Sequence, residues 1–464
     1  MLTVPEPLRQ RLRAYGQEHV LRWWDQLTDR ERRTLLDQLQ ALDLEQLRRL
    51  YGERDGTFAL PPAERIAPVP VIPVGGDTRA ARQLGEEALR RGEVAALVVA
   101  GGQGSRLGFE HPKGLFPIGP VSNKPLFQFH AEKVLARSRR HGRTIPLLVM
   151  TSPATHEETV AFFKEQRFFG LPAESVHFFC QGTMPALDLA TGKLLLEERG
   201  RLFTSPNGHG GTLTALADSG LLARLERQGI KQIFYFQVDN PLVKVADPVF
   251  LGHHLQADAE VSTKVARKRG PTDKQGNLVL IDGRCGIIEY SDLPEALAYQ
   301  TDAKGELRIW AGNTAIHIFS IAFLKRVTGG ATRIPFHIAR KKVPYLDEAG
   351  NLVQPAKENA LKFEMFIFDV LPLAERWTVV ETTRRDEFTP LKNATGADSP
   401  ETVRQAISDL AADWLEGAGV AVPRDAAGHA AFPLEVSPLY ALDAEELAAK
   451  VDRRLRIEGP MYLA

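Results

Sequence analysis

The chain has 464 residues, enough for two or three domains, and its 58 basic and 58 acidic side chains give a formal net charge of zero at pH 7. This balance excludes the global positive field that is typical of proteins binding nucleic acid or acidic membranes. Two cysteines in so long a chain favour a reducing compartment, and no apolar run approaches the roughly 20 residues of a membrane span. We therefore predict a cytoplasmic protein with small-molecule substrates and neither nucleic-acid nor membrane partners, present as a monomer or a weak homo-oligomer.

The first part of the chain is predicted to be helical. Residues 1 to about 60 carry apolar side chains roughly at helical spacing. Thr28 with Glu31, and Asp43 with Gln46, have the pattern of capping boxes that begin successive helices. We find no chemistry in this segment and interpret it as a helical layer.

Strands and helices alternate after a proline-rich connector. Leu60–Gly76 holds five prolines and is predicted to be extended, and Asp77 is placed to cap the next helix. The alternation that follows predicts an α/β protein with a doubly wound sheet. The predicted strands, some with adjoining turns, are 95–100, 145–150, 176–179, 233–238, 259–268, 286–292, 311–319 and 379–381. The predicted helices are 77–91, 125–139, one starting at Ser152–Pro153, 363–371 and 401–415.

A glycine-rich loop with basic side chains follows the first buried strand. Glycine lets a ligand approach the backbone closely, and successive exposed amides in such a loop form a concave anion site. Arg106 and Lys113 add two fixed positive charges, and His111 can add a third. Because the loop leaves the carboxyl end of a central strand, it is predicted to bind a ligand. The glycines of the loop are Gly101, Gly102, Gly104 and Gly108.

Neither of two common phosphate motifs fits this loop. A P-loop needs Gly-Lys-Ser/Thr in a register that the sequence lacks, and the dinucleotide fingerprint fails because Leu107 stands where its third glycine belongs. The remaining alternative is a βα turn in which glycine serves packing alone, but that alternative leaves Arg106 and Lys113 unexplained.

The sequence of this loop resembles a known family. G-G-Q-G-S-R-L-G, followed by F-E-H-P-K-G-L-F-P-I, resembles the signature of the eukaryotic-type UDP-sugar pyrophosphorylases, most closely those that make UDP-N-acetylglucosamine. The resemblance extends from about Asp77 to Asn393. It implies a Rossmann-like mixed sheet of the nucleotide-diphospho-sugar transferase type, with a catalytic domain over 77–383 between an N-terminal segment, 1–76, and a small α+β domain, 384–464. It also implies that UTP and N-acetylglucosamine 1-phosphate give UDP-N-acetylglucosamine and pyrophosphate by displacement at the α-phosphate.

Polar residues follow several of the predicted strands, as Gln181 and Asp239 do. Since the carboxyl ends of parallel strands meet at one edge of a sheet, we expect these residues to share a site with the glycine loop. Nucleotide chemistry needs a divalent ion, and Mg²⁺ takes one or two carboxylates, with water and phosphate oxygens in its other positions. Asp239 is the candidate ligand; the alternative is a turn-forming residue before Asn240 and Pro241.

The resemblance implies roles for residues of two further motifs. In Q-G-T-M-P-A, Gln181 would read the uracil edge, whose imide suits an amide with both a donor and an acceptor. The alternative is a surface strand end. The loop S-P-N-G-H-G-G would contact the nucleoside through Gly208 and Gly210, and the sugar through His209.

The remaining motifs would hold the sugar and the phosphates. By resemblance, Glu289 of E-Y-S and Asn313 of G-N would bind the hexosamine, and Phe366 and Phe368 would lie near its N-acetyl group. Lys392, in R-R-D-E-F-T-P-L-K-N, would reach back to the phosphates. The alternatives are buried, satisfied polar residues for Glu289 and Asn313, and a solvated surface lysine for Lys392.

Two departures from the family pattern leave the sugar open. His209 stands where the family has asparagine, and Lys357-Glu358-Asn359 replaces its usual Pro-Asn-Gly. Glucose 1-phosphate and galactose 1-phosphate are therefore alternative substrates. A non-catalytic UDP-sugar-binding protein on the same fold is a further alternative.

Overall fold

A computed structural model describes residues 2–56, 61–329 and 334–464, so Leu60, where the predicted connector begins, lies outside the described residues. The chain forms two units that interleave along the sequence. The smaller unit comprises Met1–Leu60, Gln181–Thr212 and Ile334–Ile367, and the larger unit comprises Pro61–Cys180, Leu213–Arg333 and Phe368–Ala464. The division at 76/77 and 383/384 stays a prediction. Within the described ranges, no helix has both the length and the apolar character needed to cross a membrane.

The secondary structure alternates between helices and strands along most of the chain. The α-helices are α1 Glu6–Ala14, α2 Asp29–Ala41, α3 Leu44–Gly52, α4 Arg79–Arg91, α5 Leu126–His141, α6 His156–Glu165, α7 Gly211–Asp218, α8 Leu221–Arg227, α9 Pro248–Gln256, α10 Glu295–Ala298, α11 Ile321–Gly329, α12 Arg384–Glu387, α13 Pro400–Gly417 and α14 Ala444–Lys450. The strands are β1 Ile66–Pro68, β2 Val94–Val99, β3 Leu147–Thr151, β4 Val176–Cys180, β5 Thr183–Pro185, β6 Leu187–Asp188, β7 Leu196–Glu198, β8 Arg201–Leu202, β9 Thr204–Pro206, β10 Gln232–Gln237, β11 Val261–Arg267, β12 Asn277–Ile281, β13 Arg284–Ile288, β14 Ala311–Ser320, β15 His337–Lys341, β16 Tyr345–Leu346, β17 Leu352–Val353, β18 Ala360–Glu364, β19 Trp377–Thr382, β20 Leu434–Val436 and β21 Met461–Leu463.

The larger unit is organised around a mixed sheet that has ten strands in the described part of the chain. Its main path runs β1-β12-β14-β10-β2-β3-β4; β13 pairs with β12, and β11 pairs with both β14 and β19. Strands β10, β2, β3 and β4 are parallel, whereas β14 runs antiparallel to β10. The predicted α/β fold is confirmed.

The central strand β2 is buried at every position, as its continuous valine-rich sequence predicts for a parallel strand covered on both faces. Helices α4 and α9 pack closely in the same unit because each has a glycine at the contact. A Cβ atom at Gly85 would lie 1.9 Å from the Pro248 carbonyl oxygen, and one at Gly252 would lie 1.7 Å from the Ala81 carbonyl oxygen. Alanine at either position would push the two helices apart.

Two predicted helix starts are wrong by one turn or less. Ser152 is not the N-cap of α6, because it lies three residues before the N-cap residue Thr155; its hydroxyl donates a hydrogen bond to the Gly101 carbonyl oxygen at 2.8 Å. The helix α6 instead begins at His156, with Thr155 at the N-cap. Pro125 is the N-cap of α5 and not its first helical residue.

Two other segments differ from prediction because strand pairing overrides local pattern. The predicted helix 363–371 is wrong in its first part, since β18 runs to Glu364 between β15 and β6 and only Ile367–Leu373 forms a 3₁₀ helix. The predicted connector contributes an edge strand, β1, which pairs antiparallel with β12. Pro68 is tolerated there because an edge strand has one unpaired side.

The smaller unit contains the predicted N-terminal helices. Thr28 and Glu31 form the complete capping box of α2, and the Asp43 side chain accepts a hydrogen bond from the Gln46 amide at the start of α3. The apolar faces of these helices pack in one core with residues of β6 and β18, such as Leu187. The C-terminal segment has a separate apolar core around α13, α14, β20 and β21.

Candidate functional site

The carboxyl ends of β2 and β10 lie side by side in the larger unit. Val99 is opposite Gln237 in the parallel register, and the Val238 amide donates to the Val99 carbonyl oxygen at 3.1 Å. Gly101 and Asp239, each two residues beyond this pair, therefore leave the sheet at the same rim. This position agrees with the expectation from the sequence that the glycine loop and Asp239 lie at the same edge of the sheet.

The glycine loop after β2 is closed by its own backbone. The Gly104 amide donates to the His111 carbonyl oxygen at 2.9 Å, and the Lys113 amide donates to the Gly102 carbonyl oxygen at 3.0 Å. Gly104 is required for packing, since a Cβ atom there would lie 2.7 Å from the Phe109 carbonyl oxygen. Gly102, in contrast, is exposed, and among the described residues no heavy atom beyond Gly102 and its two chain neighbours lies within 4 Å of a Cβ atom built on it. The packing alternative therefore holds for Gly104, and the backbone at Gly102 is open to a ligand.

Lys113, Asp239 and Leu391 are in mutual contact at this rim. The Lys113 ammonium donates to the Leu391 carbonyl oxygen at 3.0 Å and lies 3.5 Å from Asp239 Oδ2. The Leu391 amide donates to the Asp239 carbonyl oxygen at 2.8 Å. The side chains of Lys113 and Asp239 are 18% and 19% exposed, so both remain open on one side. Lys392 follows directly and is half-buried.

Asn240 holds the Lys392-bearing segment against the end of β10. Its side-chain amide donates to the Glu387 carbonyl oxygen at 2.7 Å, and its side-chain oxygen accepts from the Thr389 amide at 3.1 Å. Sequence analysis treated Asn240 only as part of a turn. The signal for its role was its place directly after Asp239, but its partners are far away in sequence.

A buried cluster of one lysine and two carboxylates also holds the segment that bears Lys392. The Lys264 ammonium donates to both carboxylate oxygens of Glu387, at 2.8 and 2.6 Å, and to Asp247 at 2.7 Å. Burial alone would lower the pKa of Lys264, but the carboxylates of Asp247 and Glu387 raise it above its ordinary value. Glu387 also accepts from the Thr382 hydroxyl at 3.0 Å and the Lys244 amide at 3.1 Å.

Replacing Lys264 with methionine is expected to destabilise the protein by about 3–5 kcal/mol, because two carboxylates would remain buried without their cation. Urea unfolding measures this loss. Lys231→Met is the matched control: it also removes a lysine paired with a carboxylate, Glu93, but its side chain is 65% exposed, and it should cost no more than about 1 kcal/mol. Equal losses for the two variants would contradict the anchoring role.

The other basic residues of the loop differ in their surroundings. Arg106 lies on the exposed 3₁₀ turn Ser105–Leu107 and makes no hydrogen bond or ion pair within the described ranges. His111 lies 2.5 Å from the Glu158 carboxylate through its Nδ1 atom, so that carboxylate offsets any charge it carries. Arg106 is thus the more available cation for a ligand.

Glu289 and Asn313 converge on Gly276 in the larger unit. A Cβ atom on Gly276 would lie 3.3 Å from Glu289 Oε1 and 3.9 Å from the Asn313 Cβ atom. Asn313 lies where the pairing of β14 with β11 shifts register, and Ala315 beside it has a φ of +56°. Such a bulge redirects side chains. Phe368, in the same unit, is only 7% exposed.

His209 and Phe366 contact each other in the smaller unit. Their rings stack with centroids 5.5 Å apart, and His209 Nδ1 accepts a hydrogen bond from the Ile367 amide at 3.1 Å. This bond places the proton of neutral His209 on Nε2. The ring of Phe366 also lies 4.4 Å from that of His337.

The glycines of the second loop pack against the end of β18. Gly208 has a φ of +83°, and a Cβ atom on it would lie 2.4 Å from the Met365 carbonyl oxygen. The Gly210 amide donates to the same oxygen at 2.8 Å. Packing therefore requires glycine at Gly208 and Gly210, so glycine there does not by itself indicate a ligand. Gln181, in the same unit, is 7% exposed.

The charged groups lie at the carboxyl ends of parallel strands, which is where open α/β sheets bind their ligands. Comparison with known proteins makes the class specific. Residues 60–405 match the profile of the family described as UTP–glucose-1-phosphate uridylyltransferase, and the chain belongs to this family of nucleotidyltransferases. The resemblance to the UDP-sugar pyrophosphorylases is confirmed.

Relatives of the chain cover most of its length. It is 39% identical over 436 residues to the human UDP-N-acetylhexosamine pyrophosphorylase-like protein 1. The aligned region covers 89% of this chain and 86% of the human protein. It is 40% identical over 350 residues to the UDP-N-acetylglucosamine pyrophosphorylase of Saccharomyces cerevisiae, 73% of each chain. The crystal structure of the Trypanosoma brucei uridine diphosphate N-acetylglucosamine pyrophosphorylase in complex with inhibitor matches with a TM-score of 0.83 at 28% identity, covering 100% of this chain and 99% of that one.

Proposed function

We propose that the protein transfers a uridylyl group from UTP to N-acetylglucosamine 1-phosphate. The contact of Lys113 and Asp239 with Leu391 carries this proposal, because it brings a lysine, a carboxylate and the segment bearing Lys392 to the rim where open α/β sheets bind nucleotides. A phosphate oxygen of the sugar phosphate attacks the α-phosphorus of UTP, the bond from that phosphorus to the β-phosphate bridging oxygen breaks, and pyrophosphate leaves. This reaction needs positioning and charge neutralisation, and no protein nucleophile.

The cations of the rim have separate tasks in this proposal. Arg106 and Lys113 bind the triphosphate and the charge that develops on it, and Lys392 binds the sugar phosphate or the α-phosphate. The open backbone at Gly102, between Gly101 and Gly104, contributes amides to the phosphates. Support comes from the exposure of Arg106 and the partial exposure of Lys113.

A divalent metal ion, which we propose to be Mg²⁺, fits Asp239. Its carboxylate is partly exposed at the rim, and Mg²⁺ in nucleotide sites takes one or two carboxylates together with water and phosphate oxygens. The described residues contain no group of three or more histidine, cysteine or acidic side chains that would hold a metal alone. When bound, the ion would neutralise phosphate charge.

Candidate residues for the nucleoside and the sugar lie in the smaller unit. Gln181 binds the uracil edge, and Gly208 and Gly210 shape the adjoining loop. His209 and Phe366 form a stacked pair that offers an aromatic face to the sugar. We also propose the finer fold class, a Rossmann-like sheet of the nucleotide-diphospho-sugar transferase type.

The hydroxyls of the hexosamine are bound by Glu289 and Asn313, which converge on Gly276. A carboxylate and an amide side chain that lie near the same glycine can hydrogen-bond to neighbouring hydroxyls of one sugar. Phe368 contributes to the apolar surroundings of the N-acetyl group.

Pyrophosphate release from UTP with each of three sugar phosphates tests the substrate. N-acetylglucosamine 1-phosphate is expected to give kcat/KM at least about tenfold above glucose 1-phosphate and galactose 1-phosphate, since one good contact to the N-acetyl group provides about 1.4 kcal/mol. Turnover of only the plain hexose phosphates would overturn the choice of sugar. UDP-sugar binding without any pyrophosphate release would overturn the catalytic proposal.

A further inference from the structure

The larger unit contains a cavity beside the chain segment that follows Asn240. One wall is formed by Pro241–Val245, and the others by α5, α13 and the segment 436–442. The empty space in the cavity and at its mouth amounts to about 640 Å³. Its surface is mostly apolar, with Ile407, Leu410 and Trp414 of α13 among its lining residues.

Charged residues line the cavity unequally. Arg137 and Lys244 are cations, burial lowers the pKa of Lys133 to about 7, and Asp386 is the acidic residue among the lining side chains. The Lys133 ammonium already donates to the carbonyl oxygens of the Pro241–Val245 wall, at 2.8 Å in the case of Val243. Asp386 accepts from the Thr383 hydroxyl at 2.7 Å. The cavity therefore has an apolar surface with an excess of positive charge.

Arg137 is the most unusual of these residues. It is 4% exposed, and its side chain makes no hydrogen bond or ion pair in the part of the chain that the structure describes. Its Nε atom is fully enclosed without an acceptor. Burial lowers the pKa of Arg137, but a guanidinium stays charged in proteins. A buried charge without acceptors is strongly unfavourable, so this guanidinium requires a partner that the chain itself does not provide.

The carboxylates in the neighbourhood of Arg137 are held by other cations. Asp247 pairs with Lys264 at 2.7 Å. Asp443 pairs with Arg140 at 2.7 Å, and Glu446 forms an ion pair with the same Arg140 guanidinium. Arg137 lines this cavity and also a second, more polar space bounded by Asp247 and Asp443, and both of these carboxylates are already paired with other cations.

We propose that this cavity binds an organic anion, a carboxylate or phosphate group carried on an apolar body. The anionic group takes the fork of the Arg137 guanidinium, which matches both oxyanions in geometry. The apolar body packs on Leu410 and Trp414. This site is distinct from the uridylyl-transfer site, and the inference holds whichever sugar the enzyme uses. Because Pro241–Val245 directly follows Asp239 and Asn240, an occupant contacts the segment that continues from the proposed metal carboxylate.

Isothermal titration calorimetry of the full chain with defined probes tests the proposal. 4-Phenylbutyrate and phenyl phosphate carry the two anionic groups on an aromatic body, 4-phenylbutan-1-ol has the body without the charge, and inorganic phosphate has the charge without the body. At least one of the two aromatic anions is expected to bind, and to bind at least about tenfold more tightly than the alcohol and inorganic phosphate. Arg137→Gln should remove this difference, since it deletes one charge-assisted bond pair. Arg139→Gln, an exposed arginine of the same helix, should leave it unchanged.

A second variant and a competition experiment separate the cavity from other sites. Leu410→Trp fills the cavity without changing its charge, and it should weaken probe binding as Arg137→Gln does. Saturation with UTP should leave the probe affinity unchanged. The proposal is overturned if neither aromatic anion binds, if the alcohol or inorganic phosphate binds equally well, if folded Arg137→Gln or Leu410→Trp retains wild-type affinity, or if UTP displaces the probe.

Discussion

Asp239→Asn is expected to lower turnover by roughly 10²–10³-fold and to weaken strongly the response of the enzyme to millimolar Mg²⁺. The substitution keeps the size and shape of the side chain, and the Asp239 carbonyl oxygen still accepts from the Leu391 amide, so the rim should stay folded. What is lost is the negative charge that binds the ion. Metal assistance to phosphoryl chemistry is worth several kcal/mol, and each 1.36 kcal/mol is a factor of ten in rate.

Two measurements decide the role of Asp239. Pyrophosphate release as a function of Mg²⁺ concentration, after treatment with a chelator, should show a saturable response in the wild type and a much weaker one in the variant. Asp37→Asn is the matched control, because Asp37 is an exposed aspartate on α2 of the smaller unit. If Asp239→Asn responds to Mg²⁺ as the wild type does, Asp239 is not the ligand and the turn interpretation is correct.

The convergence of the rim could be predicted because it follows from strand direction. An apolar run that ends in a glycine loop, and another that ends in Asp239, must meet if their strands are parallel neighbours. The register of Val99 with Gln237 and the 3.5 Å separation of Lys113 from Asp239 agree with that argument. Lys392 is too far from Lys113 in the sequence for any local rule to place it at this rim. Only the resemblance to the family indicated its role.

Residues whose partners are remote could not be recognised from the sequence. Lys264 lies in the largely buried strand β11, and its role depends on Glu387, which is 123 positions away. Ser152 has the pattern of an N-cap, but α6 has its N-cap at Thr155, and the Ser152 hydroxyl donates to the Gly101 carbonyl oxygen. Gly208 satisfies a ligand-loop pattern for a packing reason, the close approach of Met365. In each case a contact across the fold, and not the local sequence pattern, decided the role of the residue.

Lys113→Ala should lower kcat by about 10²–10³-fold, the loss typical of removing one preorganised donor to developing charge, while the melting temperature changes little. The ammonium is partly exposed and makes one hydrogen bond, to the Leu391 carbonyl oxygen, so little stability depends on it. Pyrophosphate release and thermal unfolding measure the two effects, with exposed Lys304→Ala as the control. Lys113→Arg should not restore the rate, because a planar guanidinium cannot keep the Leu391 bond and also present a compact charge beside Asp239. Parallel losses of activity and melting temperature in Lys113→Ala would mean that Lys113 serves the fold and not the reaction.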